Sequence, residues 1–116
     1  MNAGVGVRPQ LTTKFWVSAY LARLGLAAIP AYLTAQGDAD AGAVLVKLAT
    51  LDGQAVAYQR SFDLTADHRV WVVLKAGPEV EVDAAIARQR GFDRDLWVIE
   101  VEDKAGRTLL DEDGLR

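Results

Sequence analysis

The chain has 116 residues, 51% hydrophobic and 25% charged, which suits one globular domain and excludes a disordered composition. It contains no cysteine, so disulfide frameworks, thiolate metal sites, redox work and cysteine nucleophiles are excluded together. The net charge of −3 removes a whole-molecule field for nucleic acid, and no segment has the length and apolarity of a membrane span. The charge divides unevenly, at +2 over residues 1–60 and −5 over residues 61–116. Halves of opposite sign attract each other, either inside one fold or across a dimer.

Residues 1–11, with Gly4, Gly6 and Pro9 and no apolar run, read as a flexible tail, and 12–116 as a single domain in cytoplasmic surroundings. Lys14–Ala28 has helical composition, with Thr12 or Thr13 as N-cap and Pro30 blocking continuation. Its wheel carries two apolar stripes. Phe15, Ala19, Ala22, Leu26 and Ile29 form one, and Val17, Leu21, Leu24 and Ala28 lie opposite. Between them runs a strip of Trp16, Tyr20 and Arg23 at spacings of four and three.

Ala31–Ala35 reads as a short strand and 37–42 as a loop; Ala43–Thr50 then alternates with Val44, Val46 and Leu48 on one face. Asp52-Gly53 marks a hairpin. A three-residue loop, Leu51 to Gly53, pairs Leu48 with Val56 and Val46 with Tyr58, whereas a two-residue loop would mix polar and apolar faces. Val70–Leu74 is a continuous apolar run, the pattern of a strand covered on both sides. Pro78 opens a second helix to about Arg90, acidic in its first turns and basic in its last, with Gly91 following. Leu96–Glu102 alternates with Trp97, Ile99 and Val101 inward, and a turn at Lys104-Ala105-Gly106 leads to a last strand, Arg107–Leu110. The expectation is an α+β fold in the order α-β-β-β-β-α-β-β, with one antiparallel-dominated sheet of about six strands and two helices.

Three blocks carry a family resemblance: Lys14-Phe15-Trp16-Val17-Ser18-Ala19-Tyr20-Leu21, Gly37-Asp38 leading into Ala41-Gly42-Ala43-Val44-Leu45-Val46-Lys47, and Arg88-Gln89-Arg90-Gly91-Phe92-Asp93-Arg94-Asp95-Leu96-Trp97-Val98-Ile99-Glu100. Together they resemble the small bacterial proteins of domain-of-unknown-function family 1491. The resemblance implies a single-domain bacterial protein and supplies no functional residues.

No residue set reaches a catalytic or cofactor signature, and no cofactor or metal is expected. The one histidine, His68, has only Ser61 and Asp63 nearby in sequence, too little for nucleophilic catalysis. Asp38 and Asp40 begin like a calcium loop, but the remaining ligands are missing, and no phosphate-binding glycine loop is present. Arg88 and Arg90, beside Asp93, Arg94 and Asp95, are a candidate anion site, with Arg23 or Lys47 as further donors. Trp16, Tyr20 and Arg23 have the residue types of interaction hot spots and are the candidate interface. The first expectation is therefore a non-enzymatic interaction domain, a homodimer or a binder of another protein, without nucleic-acid or membrane partners. A small-molecule or anion binder is the second, and an enzyme the third.

Overall fold

The structure, a computed structural model, describes residues 12–63 and 68–115, with backbone alone at 61–63 and 68–69. The expected N-terminal tail lies outside the described residues, as does Asp67. The elements are α1 (Thr13–Leu26), β1 (Ala31–Ala35), β2 (Val44–Ala49), β3 (Gln54–Asp63), β4 (His68–Pro78), α2 (Glu79–Phe92) and β5 (Trp97–Glu102).

Thr12 is the N-cap of α1, its side chain accepting from the Phe15 N–H. The helix closes in a Schellman arrangement. Ala28 N–H donates to Gly25 O and Ile29 N–H to Leu24 O, with Ala28 at φ 58° where glycine is usual. Pro78 precedes α2, Glu79 and Glu81 sit in its first turn and Arg90 in its last, each at the favourable end of the helix dipole. The helix continues through Gly91 to Phe92, two residues past the expected end, with Asp93 as C-cap.

The five strands form one mixed sheet in the order β1-β5-β2-β3-β4. It is antiparallel-dominated as expected, in three of its four pairings, but it has five strands where about six were expected, and β2 pairs with β5 in parallel. The reason is connectivity. A helix between β4 and β5 is the long crossover that parallel strands need, and β4 runs parallel to both β2 and β5. The sixth strand, Arg107–Leu110, is absent among the described residues. Arg107 is held by the Asp103 carboxylate through its backbone N–H at 2.7 Å and its Nε at 2.9 Å. Leu109, at φ 61°, then turns the chain out of any extended course.

The hairpin has the expected register, with Leu48 opposite Val56, Val46 opposite Tyr58, and Gly53 at φ 86°. Burial departs from expectation in the two strands around it. All six residues of β2 are buried, because β2 lies at the centre with α1 on one face and α2 on the other. The apolar run of β4 belongs instead to an edge strand, where Val73 is 56% exposed. A run of apolar residues records that a strand can be covered, and the neighbours decide whether it is.

Two cores result. Beneath α1, Trp16, Val17, Tyr20 and Leu24 meet Val46, Leu48, Trp97, Ile99 and Val101, joined by Leu110 and Leu115 of the C-terminal segment. Beneath α2, Val82 and Ile86 meet Leu45, Ala55, Ala57 and Val98, the small side chains of β3 letting the helix lie close. Among the described residues no helix is long and apolar enough to cross a membrane.

Candidate functional site

Residues 103–115 leave the sheet and cross the α1 face as an irregular strap. Their carbonyls are received by side chains of the α1 strip and of the sheet. Tyr20 Oη donates to Thr108 O at 2.8 Å, and Arg23 Nη2 to Asp113 O at 3.1 Å, with its Nη1 3.3 Å from the Glu112 carboxylate. At the far end Arg60 Nη2 and Trp71 Nε1 both donate to Leu115 O, at 3.2 and 3.3 Å. The Arg60 guanidinium lies 4.6 Å from the Trp16 ring centre and 5.0 Å from that of Trp71, so its charge sits over both rings, which pack against each other at 5.6 Å. Trp16 also stacks on Tyr20 at 5.0 Å. Leu115 fills the apolar floor and is 1% exposed. Burial, together with Tyr58, pushes the Tyr20 hydroxyl well above its ordinary range, so it stands as a proton donor to Thr108 O. The buried Trp16 indole N–H finds no acceptor among the described residues.

The expected interface strip is thus placed in detail. Trp16 and Tyr20 are buried within the chain, and Arg23 is at the surface on the strap. Of the two apolar stripes on α1, Val17 and Leu24 face the sheet. Phe15 and Leu26 of the other are 59% and 90% exposed.

Sequence reasoning missed Arg60, Trp71, Thr108 and Leu115. One signal was available for Arg60. Strand alternation sets it on the same face as Val56 and Tyr58, which makes it a cation aimed at a core.

Arg90 donates to the carbonyls of Arg94 and Leu96, closing the turn after α2, and Arg88 is exposed. Arg23 lies on the opposite face of the sheet. Lys47 is 5% exposed and held by Glu79 at 2.6 Å, Asp83 at 2.7 Å and Glu100 at 3.6 Å. Burial lowers the Lys47 pKa, but Asp83, Glu79 and Glu100 outweigh it, so the ammonium is held above its ordinary range. The charge asymmetry of the two halves is in part resolved inside the chain, by Lys47 and by Arg23 with Glu112.

His68 is the first residue of β4; its side chain and those of Ser61 and Asp63 lie outside the described residues. The Asp38 carboxylate accepts from the N–H groups of Asp40 and Ala41, as a turn-former does. No group of three metal-ligating side chains occurs among the described residues.

The three blocks behind the family resemblance meet at one corner. Thr13 N–H and Lys14 N–H donate to Asp40 O and Ala39 O, and Thr13 Oγ1 to Gly42 O at 2.7 Å. Trp97 Nε1 donates to Asp38 O at 2.7 Å, and Asp38 N–H to Asp95 O at 3.0 Å. A Cβ on Gly37 would stand 1.9 Å from Asp95 O, and one on Gly42 2.3 Å, so both positions require glycine.

Fold and site define an α+β domain with a mixed five-stranded sheet whose one face holds the irregular, turn-rich segment 103–115. The chain belongs to the DUF1491 family of proteins of unknown function, whose model matches residues 11–111. It is similar to a DUF1491 protein from Caulobacter crescentus CB15 seen in a crystal structure, with 35% identity, TM-score 0.81, and 89% of this chain and 97% of that one covered. An NMR structure of a DUF1491 protein from the same organism gives 34% identity and TM-score 0.78, covering 90% and 96%. A solution structure of an A. tumefaciens protein gives 31% identity and TM-score 0.68, covering 81% and 86%. No curated protein matches the chain.

Proposed function

We propose that the chain is a non-enzymatic protein-interaction domain that receives a turn-forming segment of polypeptide in the groove between α1 and the β3–β4 edge. The observation that carries this reading is how the strap is held. Three of its backbone carbonyls, on Thr108, Asp113 and Leu115, are met by side-chain donors, while Leu115 fills an apolar seat. Backbone acceptors plus one anchoring side chain are how a groove reads a peptide. The Trp16–Tyr20–Arg23 strip keeps its hot-spot character, with a strap in place of a flat partner surface. An anion-binding role for Arg88 and Arg90 has less support, since Arg90 is engaged with carbonyls.

The test uses the full chain carrying Leu115→Ala, which loosens the strap, and a synthetic peptide with the sequence of residues 107–115. Saturable binding, with a shift of the Trp71 indole N–H resonance, is expected. A folded variant whose indole resonances ignore millimolar peptide would refute the reading, as would equal binding by a chain that also carries Arg60→Leu.

A further inference from the structure

We propose that residues 107–115 are an autoinhibitory latch: they fill the groove as its internal occupant and give way to a partner segment that brings a carboxylate to Trp16. This rests on the polypeptide-binding reading and adds the partner's chemistry and the control of access.

The strap is built to open without the sheet. Side chains of Tyr20, Arg23, Arg60 and Trp71 grip three of its carbonyls, and no strand pairs with it, so its departure leaves all five strands intact. The turn before it closes on itself, through Gly106 N–H on Asp103 O and Arg107 on the Asp103 carboxylate, and needs no groove contact. One grip is weak, because the Arg23 and Glu112 side chains of its ion pair are 43% and 47% exposed and open to screening by salt. Leu109 sits at φ 61° in the closed strap, a left-handed conformation that strains a leucine and that an open strap does not keep.

The closed groove also leaves one donor unsatisfied. Trp16 stands between the two ends of the strap. It stacks on Tyr20, which holds Thr108 O, and lies beneath the Arg60 guanidinium, which holds Leu115 O. Trp16 is only 6% exposed, yet its indole N–H meets no acceptor among the described residues. A buried donor in that state has lost its water without replacement, and an occupant that carries an acceptor restores the bond. Because the Arg60 charge lies over the same ring, the acceptor that fits is a carboxylate, which meets the N–H and the cation together. The strap's own Glu112 goes to Arg23 instead. Leu109 marks the place for it, since it follows the carbonyl that Tyr20 holds and packs half-buried against the Trp16 cluster. The partner is therefore a segment with an acidic residue at that place and an aliphatic anchor where Leu115 sits.

Native-state hydrogen exchange of the full chain reads the latch. The Trp71 indole N–H, which Leu115 O holds, is expected to exchange on the order of 100-fold faster than the amides of β2 after correction for intrinsic rates, because it needs only the strap to open. Leu115→Ala should speed it further and leave the β2 amides unchanged. Exchange of Trp71 in step with β2 in both chains overturns the latch. Two nonapeptides are then added to the native chain, one with the sequence of residues 107–115 and one with Leu109→Glu in that sequence. The Leu109→Glu peptide is expected to bind about tenfold tighter and to move the Trp16 indole N–H resonance. Trp97, whose N–H is held by Asp38 O, should stay still. Equal affinities, or a Trp16 resonance that neither peptide moves, overturn the proposal. If the Leu115→Ala chain binds the 107–115 peptide while the native chain binds neither, the latch fails and the groove reading stands. If the Leu115→Ala chain ignores both peptides, both fail.

Discussion

The Lys47 cluster allows a quantitative test of how α2 is pinned to the sheet. Its ammonium has three donors and three carboxylate neighbours, Glu79 and Asp83 on α2 and Glu100 on β5, while the side chain is only 6% exposed. Neutralising one carboxylate leaves two, and each carboxylate is itself partly in water, so Glu79→Gln, Asp83→Asn and Glu100→Gln should each cost about 0.5–1 kcal/mol. Neutralising all three leaves a buried ammonium without a counter-charge, at about 3–5 kcal/mol or more than the singles add up to. Adding Lys47→Met to the triple variant removes the stranded charge and should return stability to within about 1.5 kcal/mol of the native chain. Urea unfolding at pH 7 followed by circular dichroism reads these differences. In thermal unfolding each kcal/mol corresponds to about 4 °C for a chain of this size. Strict additivity of the three single changes, or a quadruple variant no better than the triple, would refute the claim that the buried ammonium is what the carboxylates serve.

Two glycine substitutions should separate steric from conformational demand. Gly53→Ala, in open space at φ 86°, should cost about 1 kcal/mol, whereas Gly37→Ala, driven against Asp95 O, should abolish the native fold or lower the melting temperature by about 10 °C or more. Melting curves of the two side by side decide it, and equal effects would mean that the Gly37–Asp95 approach is not needed. Stability should also fall at alkaline pH. Tyr20 and Lys47 both have folded-state pKa values raised above their ordinary values of 10.0 and 10.5. The folded chain then keeps protons that the unfolded chain releases, so their contribution is whole below pH 10.0 and declines as pH rises through the folded values. Urea midpoints at rising alkaline pH should show this decline, and Tyr20→Phe should reduce it.

Local chemistry was legible wherever one stretch of chain holds the whole cause. A threonine cap at Thr12 or Thr13, the charge order along α2 and the three-residue loop ending at Gly53 each follow from sterics and hydrogen bonding within a few residues. The register of β2 on β3 was also readable, because a one-residue slip would have turned Val46 and Leu48 away from Val56 and Tyr58. Family membership was readable from three blocks, and their meeting at Gly37, Gly42 and Asp95 explains why they travel together. What the sequence could not settle was which surfaces cover one another. Alternation marks two faces of a strand, but only the placement of α1 and α2 buries both faces of β2 and leaves β4 at the edge. Lys47 reads as a further donor to a candidate anion site until α2 brings Glu79 and Asp83 over it. The groove depends on contacts between residues 44 to 90 positions apart, from Trp71 with Leu115 to Arg23 with Asp113. Hydrophobic periodicity reports each segment's own faces; pairings at such separations are chosen by the packing of the whole chain.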